Sequence, residues 1–325
     1  MFVDGTEPGF RSLSHWPGNT TPPALKDDLS TGIALRFARL SEAEQVRLLG
    51  TFEVVANNHY DTDGALSAFA VLHPQAALAR QELLLAAAAT GDFSTWNGPQ
   101  ALAIELSVDA LTEHPGSPLA SRLAPGLTDG QRWALGYEWL LAHLPELLAD
   151  PFTLRPLWAD QHAAVLADVA RIEAGSGISV RDVPEDDLVL VSSDRPITSI
   201  GLHLAAGGRS RVLLLRPSRT GFRYRFFLRV ESWFELVTRK VPARMPLEPA
   251  VAALQRTDPA AGDTSGQWWC TDIQRPIAEL GFGDPQRAKV VHFGDPDLEQ
   301  DAETRLPPSA VIEALRRAFR PPVHG

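Results

Sequence analysis

The stretch NNHYDTDGALSAFAVL, residues 57–72, restricts this chain more than any other. It sets His59, Asp61 and Asp63 at alternating positions, then Gly64, then a run of small and apolar residues. A purely solvated loop does not explain charges placed between two segments that both seek burial. TFEVVANN, just before, reads as a short buried strand through Phe52, Val54, Val55 and Ala56. If residues 59–63 continue that strand, His59, Asp61 and Asp63 share one face, and Asn58, Tyr60 and Thr62 the other. Gly64 permits a sharp turn into a helix, whose first N–H groups favour an anion. One imidazole and two carboxylates at the carboxyl end of a strand form an N/O donor set suited to Mn²⁺ or Mg²⁺. Two plainer readings compete. Asp63 as a helix N-cap leaves His59 and Asp61 unexplained. A calcium loop fails because its twelfth position would be Ala70 where a bidentate Glu is needed.

The rest of the 325 residues reads as two domains. Helical patterns cover TGIALRFARL, with Asp28 or Ser30 as its cap, and SEAEQVRLL, which opens with the capping-box pair Ser41 and Glu44. Further helices are expected over 64–72, from Pro74 to a stop at Gly91, over 99–112 and 131–149, and through PLWADQHAAVLADVARIEAG to Gly175. From there the pattern turns β-rich: GISVRDV, DLVLVSS, RVLLLRP and FRYRFFLRVES, the last two joined by the hairpin turn SRTG. EPAVAALQR and AVIEALRRAF close the chain as helices before a Pro-containing tail. The expected fold class is therefore α/β: a helix-rich N-terminal domain around a mostly parallel sheet (1–178), then a smaller α+β domain (179–325).

Composition removes several functions. A net charge of −10 argues against general affinity for DNA or for acidic membranes. Cys270 is the single cysteine, so no internal disulfide and no multi-cysteine zinc site can form; it reads as a buried structural thiol. The first residues lack the basic flank and apolar stretch of a signal peptide, and no apolar run approaches a membrane span, so a cytoplasmic protein is expected. No Walker loop, G-x-G-x-x-G or G-x-S-x-G is present.

Other residues are candidates with plain alternatives. His15, in LSHWPGNTTP among Pro17, Gly18 and Pro22, is either an additional ligand or a histidine packed in an ordered loop. Arg223, Arg225 and Arg229 share parity on a hairpin that also carries Arg216 and Arg219, so they either grip an anion or form a polar face paired with carboxylates. His203 is a substrate-binding candidate or a core histidine. Trp233, Trp268 and Trp269 either stack on a base or fill a core. His114 and His143 read as ordinary loop and helix-surface residues.

The spacing His59-x-Asp61-x-Asp63, the apolar strand before it, and Gly64, Ala65, Ser67 and Ala68 after it resemble the first motif of the DHH phosphoesterase superfamily. The resemblance implies a parallel-sheet domain, a smaller C-terminal domain, a two-metal cleft between them, and hydrolysis of a phosphoester or phosphoanhydride. Nucleotides, short oligonucleotides and polyphosphate-like chains are the implied substrates. His59, Asp61 and Asp63 would be metal ligands, Asp61 and Asp63 the catalytic pair, and Asp92 in TGDFS a stand-in for the second-motif aspartate, with His15 as a further ligand. The Asp-His-His triplet itself is absent; its nearest string is Asp160-Gln161-His162, inside an expected helix. That absence gives the alternative expectation: a non-catalytic ligand-binding or accessory protein with a degenerate DHH-like fold. The chain also looks similar to an uncharacterised bacterial family with an HWPGN-TP element, the HYDTDG turn and a following GDF. The expected partner is a small anionic, phosphate-containing substrate, with no membrane, no general DNA binding, and a homodimer left open.

Overall fold

A computed structural model of the chain describes residues 1–262, 266–286 and 296–319; the expected C-terminal tail lies outside them. The chain gathers into two compact units. One is Met1–Ala164 with Phe234–Lys240, the other Val165–Trp233 with the described residues from Val241 onward.

The first unit is built from β1 (Phe2–Val3), β2 (Ser12–Leu13), α1 (Ser30–Ala38), α2 (Glu42–Leu49), α3 (Thr62–Leu72), α4 (Pro74–Leu78), α5 (Gln81–Phe93), α6 (Pro99–Glu113) and α7 (Asp129–Ala149). α8 (Ala159–Glu173) begins in it. The mostly parallel sheet expected here is reduced to a remnant. β1 and β2 pair in parallel over two residues each, and Ala56 adds one parallel bridge to Phe2. TFEVVANN is not a buried strand: Val54 is 65% exposed and only Ala56 is bridged. The chain leaves the ladder at Asn57, whose side-chain oxygen accepts the N–H of Asn58 at 2.6 Å. A side chain that bonds the following amides turns the backbone and competes with strand pairing.

α3 forms the centre of this unit. Residues 62–70 are all buried, and α3 packs on α1, α5, α6 and α7. A helix enclosed on every side needs small residues where neighbours approach, which Gly64, Ala65, Ser67 and Ala68 provide. The stop expected at Gly91 is not used. α5 runs on to Phe93 and closes at Ser94, in the left-handed conformation. A Cβ on Gly91 would lie 2.5 Å from Glu105 Oε2, so this glycine serves close packing of α5 on α6 and carries Asp92 one residue further. The capping box of Ser41 and Glu44 forms at the start of α2.

The second unit holds the large sheet: β3 (Ile178–Val183), β4 (Leu188–Ser193), β5 (Arg211–Pro217), β6 (Phe222–Leu228), β7 (Gln267–Cys270) and β8 (Glu279–Gly283), in the order β3-β4-β5-β6-β8-β7. Within this sheet only β4 and β5 run parallel; its other pairings among the described residues are antiparallel. α9 (Ser199–Ala206) makes the crossover between that parallel pair, as a parallel connection requires. α10 (Glu248–Thr257) and α11 (Pro308–Phe319) share a core with Leu213, Tyr224 and Phe226, while α9 packs with Val191, Val212 and Phe227. No helix among the described residues is long and apolar enough to cross a membrane.

Arg225 lies fully buried in this sheet, 2.9 Å from Glu279 and 2.6 Å from Asp301, with its guanidinium 5.1 Å from the Trp269 ring centroid. Removing one member of a buried ion cluster leaves charge without its partner, at a cost of about 3–5 kcal/mol. Arg225→Met should therefore lower the free energy of urea unfolding by about that amount, seen as a lower urea midpoint; an unchanged midpoint would show the cluster to be neutral for stability.

Candidate metal centre

Three extended segments end side by side and deliver the first ligands. Asp4 follows β1, His15 follows β2 by two residues, and His59 follows the bridged Ala56. Asp4 escaped the sequence reading. It sits in the left-handed conformation, φ 46°, where a non-glycine residue is strained. Its N–H donates to the Leu13 carbonyl at 3.0 Å, and its carboxylate is sealed from solvent. Oδ1 accepts the Ser30 hydroxyl at 2.7 Å and lies 3.4 Å from His15 Nε2; Oδ2 lies 3.1 Å from His59 Nε2. One buried carboxylate thus faces two imidazoles.

His15 Nδ1 is 2.6 Å from the Asp28 carbonyl oxygen. A carbonyl only accepts, so the ring proton resides on Nδ1 and Nε2 carries a lone pair in the neutral ring. That nitrogen faces Asp92 Oδ2 at 3.2 Å, Asp4 Oδ1 at 3.4 Å and Asp63 Oδ2 at 3.8 Å. His15 Nε2 and Asp92 Oδ2 are buried and lack a well-aligned hydrogen bond, although they pair at 3.2 Å when the ring is charged. A lone pair set against three carboxylates repels them unless a proton or a metal cation lies between.

The quoted stretch works differently from a strand face. Asp61, not Asp63, is the N-cap of α3: its Oδ1 accepts the Gly64 N–H at 2.8 Å, and its Oδ2 lies 2.9 Å from His59 Nε2. Asp63 stands in the first turn of α3 and serves α1 instead, accepting the N–H groups of Ser30 and Thr31 at 2.8 and 2.7 Å. α1 has Leu29 at its N-cap, with no capping side chain, so neither Asp28 nor Ser30 plays the part expected of it; Asp63 supplies the missing acceptor. The three residues therefore divide. Asp4, His15, Asp63 and Asp92 form one group and Asp4, His59 and Asp61 a second; within each, one donor atom per residue lies within 4.8 Å of all the others, an arrangement that could hold a metal ion. The first group is nearly sealed, whereas the Asp61 side chain is 38% exposed and His59 20%. Tyr137 braces the turn, donating to the His59 carbonyl at 3.2 Å and accepting from Asn57 at 2.9 Å.

Charge decides the chemistry of such a cluster. Four carboxylates face two imidazoles, so with both rings protonated two negative charges remain uncompensated. Protons take up the excess. Burial, then the charge of Asp4, raises Asp63 to about 7. Burial and the charge of Asp63 hold Asp92 well above the carboxylate range. Burial opposes a charge on His59, but Asp61 and Asp4 outweigh it and raise the ring to about 11. His15 is likewise held well above its ordinary value by its facing carboxylates, against the effect of burial.

The remaining candidates belong to neither of these two groups. His162 packs against Phe152 and Trp158, with Nε2 3.4 Å from the Pro99 carbonyl. His143 stacks on Trp139, and His114 accepts the Gly116 N–H in a loop. In the second unit each arginine of the stripe is held by carboxylates: Arg223 by Glu299 and Glu303, Arg225 by Glu279 and Asp301, Arg229 by Glu231, and Arg216 by Glu299. Arg219 is exposed at the hairpin turn. His203 is buried and bonded through Nδ1 to the Ser199 carbonyl at 2.8 Å. Trp268 and Trp269 are buried, Trp233 half-buried. Burial pushes the Cys270 thiol up to about 11.

A family model matches residues 1–324, and the chain belongs to that family, a family of unknown function, DUF6687. Comparison with curated proteins and with solved structures gave no match.

Two outcomes follow from the cluster. A cation that binds only the folded chain adds about 2.7 kcal/mol to stability at a hundred times its dissociation constant. Mn²⁺ should therefore raise the melting temperature of the wild type and leave Asp4→Asn unmoved, as calorimetry will show; equal behaviour of the two proteins would disconnect Asp4 from cation binding. The second outcome concerns pH. A carboxyl with a raised folded-state pKa binds its proton more tightly when folded, so Asp63 contributes stability below its ordinary value of 3.8 that is lost as pH rises through about 7. A cation takes the place of that proton, so the Mn²⁺-induced gain should grow as pH rises through about 7. A gain independent of pH across that window would contradict it.

Proposed function

We propose that the chain is a metal-dependent hydrolase of phosphoesters or phosphoanhydrides, with Mn²⁺ or Mg²⁺ held by Asp4, His15, His59, Asp61, Asp63 and Asp92. The observation that carries this reading is His15 Nε2, buried and aimed at three carboxylates at 3.2–3.8 Å with no well-aligned hydrogen bond, while its other nitrogen is fixed by a carbonyl. A histidine ligand whose second nitrogen is committed to a carbonyl acceptor is the common arrangement at metal sites. The donor set is four carboxylates and two imidazoles without a thiolate, which suits Mn²⁺ and Mg²⁺ better than soft cations. The resemblance of residues 57–72 to the first DHH motif points to the same chemistry.

Divalent ions supply Lewis acidity here: they activate water and offset the charge that develops on a phosphoryl group. The chain's own residues divide the remaining work. Asp4 holds both halves of the cluster together through its two oxygens. Asp63 and Asp92 furnish the sealed side. Asp61 and His59, the exposed donors, form the side that a phosphate-bearing substrate reaches, beside the N-terminus of α3. Arg223, Arg225, Arg229 and His203 have no part in this reading, since the groups around them already engage them.

A second reading, a cation-binding protein without turnover, is favoured by one observation. The only near match to the Asp-His-His triplet ends in His162, which is packed between aromatic rings away from both groups. A screen with Mn²⁺ or Mg²⁺ against bis(p-nitrophenyl) phosphate, nucleotides, dinucleotides and polyphosphate separates the two. Hydrolysis of at least one substrate, reduced by about 100-fold or more in Asp61→Asn, is the expected result. Cation binding with no turnover on any of them would select the second reading, and neither binding nor turnover would remove both.

A further inference from the structure

One short segment holds His15 from three directions. Phe234–Lys240 belongs to the first unit although the chain on either side of it belongs to the second. The Phe234 ring lies 3.8 Å from the His15 ring, with 20° between their planes. The Glu235 N–H donates to the His15 carbonyl at 2.9 Å. Asp28, whose carbonyl accepts from His15 Nδ1, is itself held by this segment. Its carboxylate accepts the N–H of Val237 at 2.6 Å, the N–H of Thr238 at 2.9 Å, and the Thr238 hydroxyl. The Glu235 carboxylate anchors the near end, accepting from Lys26 at 2.7 Å and Asn19 at 2.9 Å. The ring plane, the main chain and the tautomer-setting carbonyl of one imidazole all depend on the same few residues. His59 is held by other residues: its Nδ1 meets the neighbouring Asn58 side chain at 3.1 Å, the Trp16 ring lies 4.7 Å from its ring, and Tyr137 donates to its carbonyl.

We propose that residues 234–238 are a positioning strap for His15, through which Phe234 and Asp28 set cation affinity at the His15–Asp63–Asp92 group without touching the ion. The inference rests on the divalent-ion reading above. A metal ligand must present its lone pair in a fixed direction, and an imidazole can fail to do so by rotating about its ring axis or by changing tautomer. The stacked Phe234 ring opposes the rotation. The Asp28 carbonyl opposes the tautomer change, and the two N–H groups from the strap fix where that carbonyl sits. Phe234 has no ligating atom, so its effect on the ion acts through the rings it packs on, of which His15 at 3.8 Å is nearer than Phe93, beside Asp92, at 6.0 Å. Partners of this kind typically change metal affinity by about 10- to 100-fold.

The test is Mn²⁺ titration of the full chain, with free Mn²⁺ read by electron paramagnetic resonance, for the wild type, Phe234→Ala, Phe234→Tyr, Asp28→Ala and Asp28→Asn. The wild type should bind at two resolvable positions. Phe234→Ala and Asp28→Ala should weaken one of them by about 10- to 100-fold and leave the other unchanged. Phe234→Tyr, which keeps the ring, and Asp28→Asn, which keeps an acceptor oxygen, should recover most of the loss. Wild-type binding with every variant unchanged overturns the strap and spares the metal reading. Equal weakening of both positions, with no rescue, marks a general loss of structure and overturns it too. No Mn²⁺ bound by the wild type overturns both.

Discussion

The Asp4 carboxylate, buried and shared between His15 and His59, is the interaction on which this molecule depends. Its two oxygens join a sealed group of donors to an open one. The backbone accepts strain to place it: Asp4 adopts a left-handed conformation that an ordinary side chain avoids. Around it the fold uses the acids twice. Asp61 caps α3 while facing His59, and Asp63 caps α1 while facing His15. Helix termini that need an acceptor and a donor cluster that could hold a cation draw on the same carboxylates, which ties the helical packing of the unit to the charge state of its centre.

That double use sets what the cluster can do. Carboxylates in excess over imidazoles, most of them sealed, hold protons at pH values where exposed acids would be ionised. A divalent ion offers the same compensation with coordination geometry in place of a proton. The open side, where Asp61 and His59 meet solvent, is the direction from which an anion can arrive; the closed side, under His15 and Asp92, is where an ion can be held away from water.

Much of the centre was legible because it is local. His59, Asp61 and Asp63 stand within five residues, and a period-2 pattern flagged them even though the backbone there is a turn and a helix start. His15 and Asp92 are candidates by residue type alone, and what aims them at one point is not local: β2 sets one and the last turn of α5 the other. Asp4 was hidden because a two-residue strand carries no periodicity, and its importance arises only when three distant segments end side by side. Its one signal was FVDG, an apolar pair running into Asp-Gly, which repeats in brief the Asp-Gly of residues 63–64. The arginines show the converse. Arg223 and Arg225 stand two apart on β6, whereas Arg229 lies past its end, and Glu279, Glu299, Glu303 and Asp301, which pair with the first two, follow so much later in the chain that no local pattern links them. The parallel pair β4–β5 inside an otherwise antiparallel sheet was equally unreadable, since a crossover helix and a hairpin turn look alike as breaks in a β-rich stretch.

The most direct measurement is anomalous diffraction at the manganese absorption edge, on crystals of the wild-type chain grown with Mn²⁺. The account predicts density on both sides of the Asp4 carboxylate, one peak bonded to His15, Asp63 and Asp92 and the other to His59 and Asp61. A map without a peak at Asp4, with His15 Nε2 instead hydrogen-bonded to its neighbours, would contradict it.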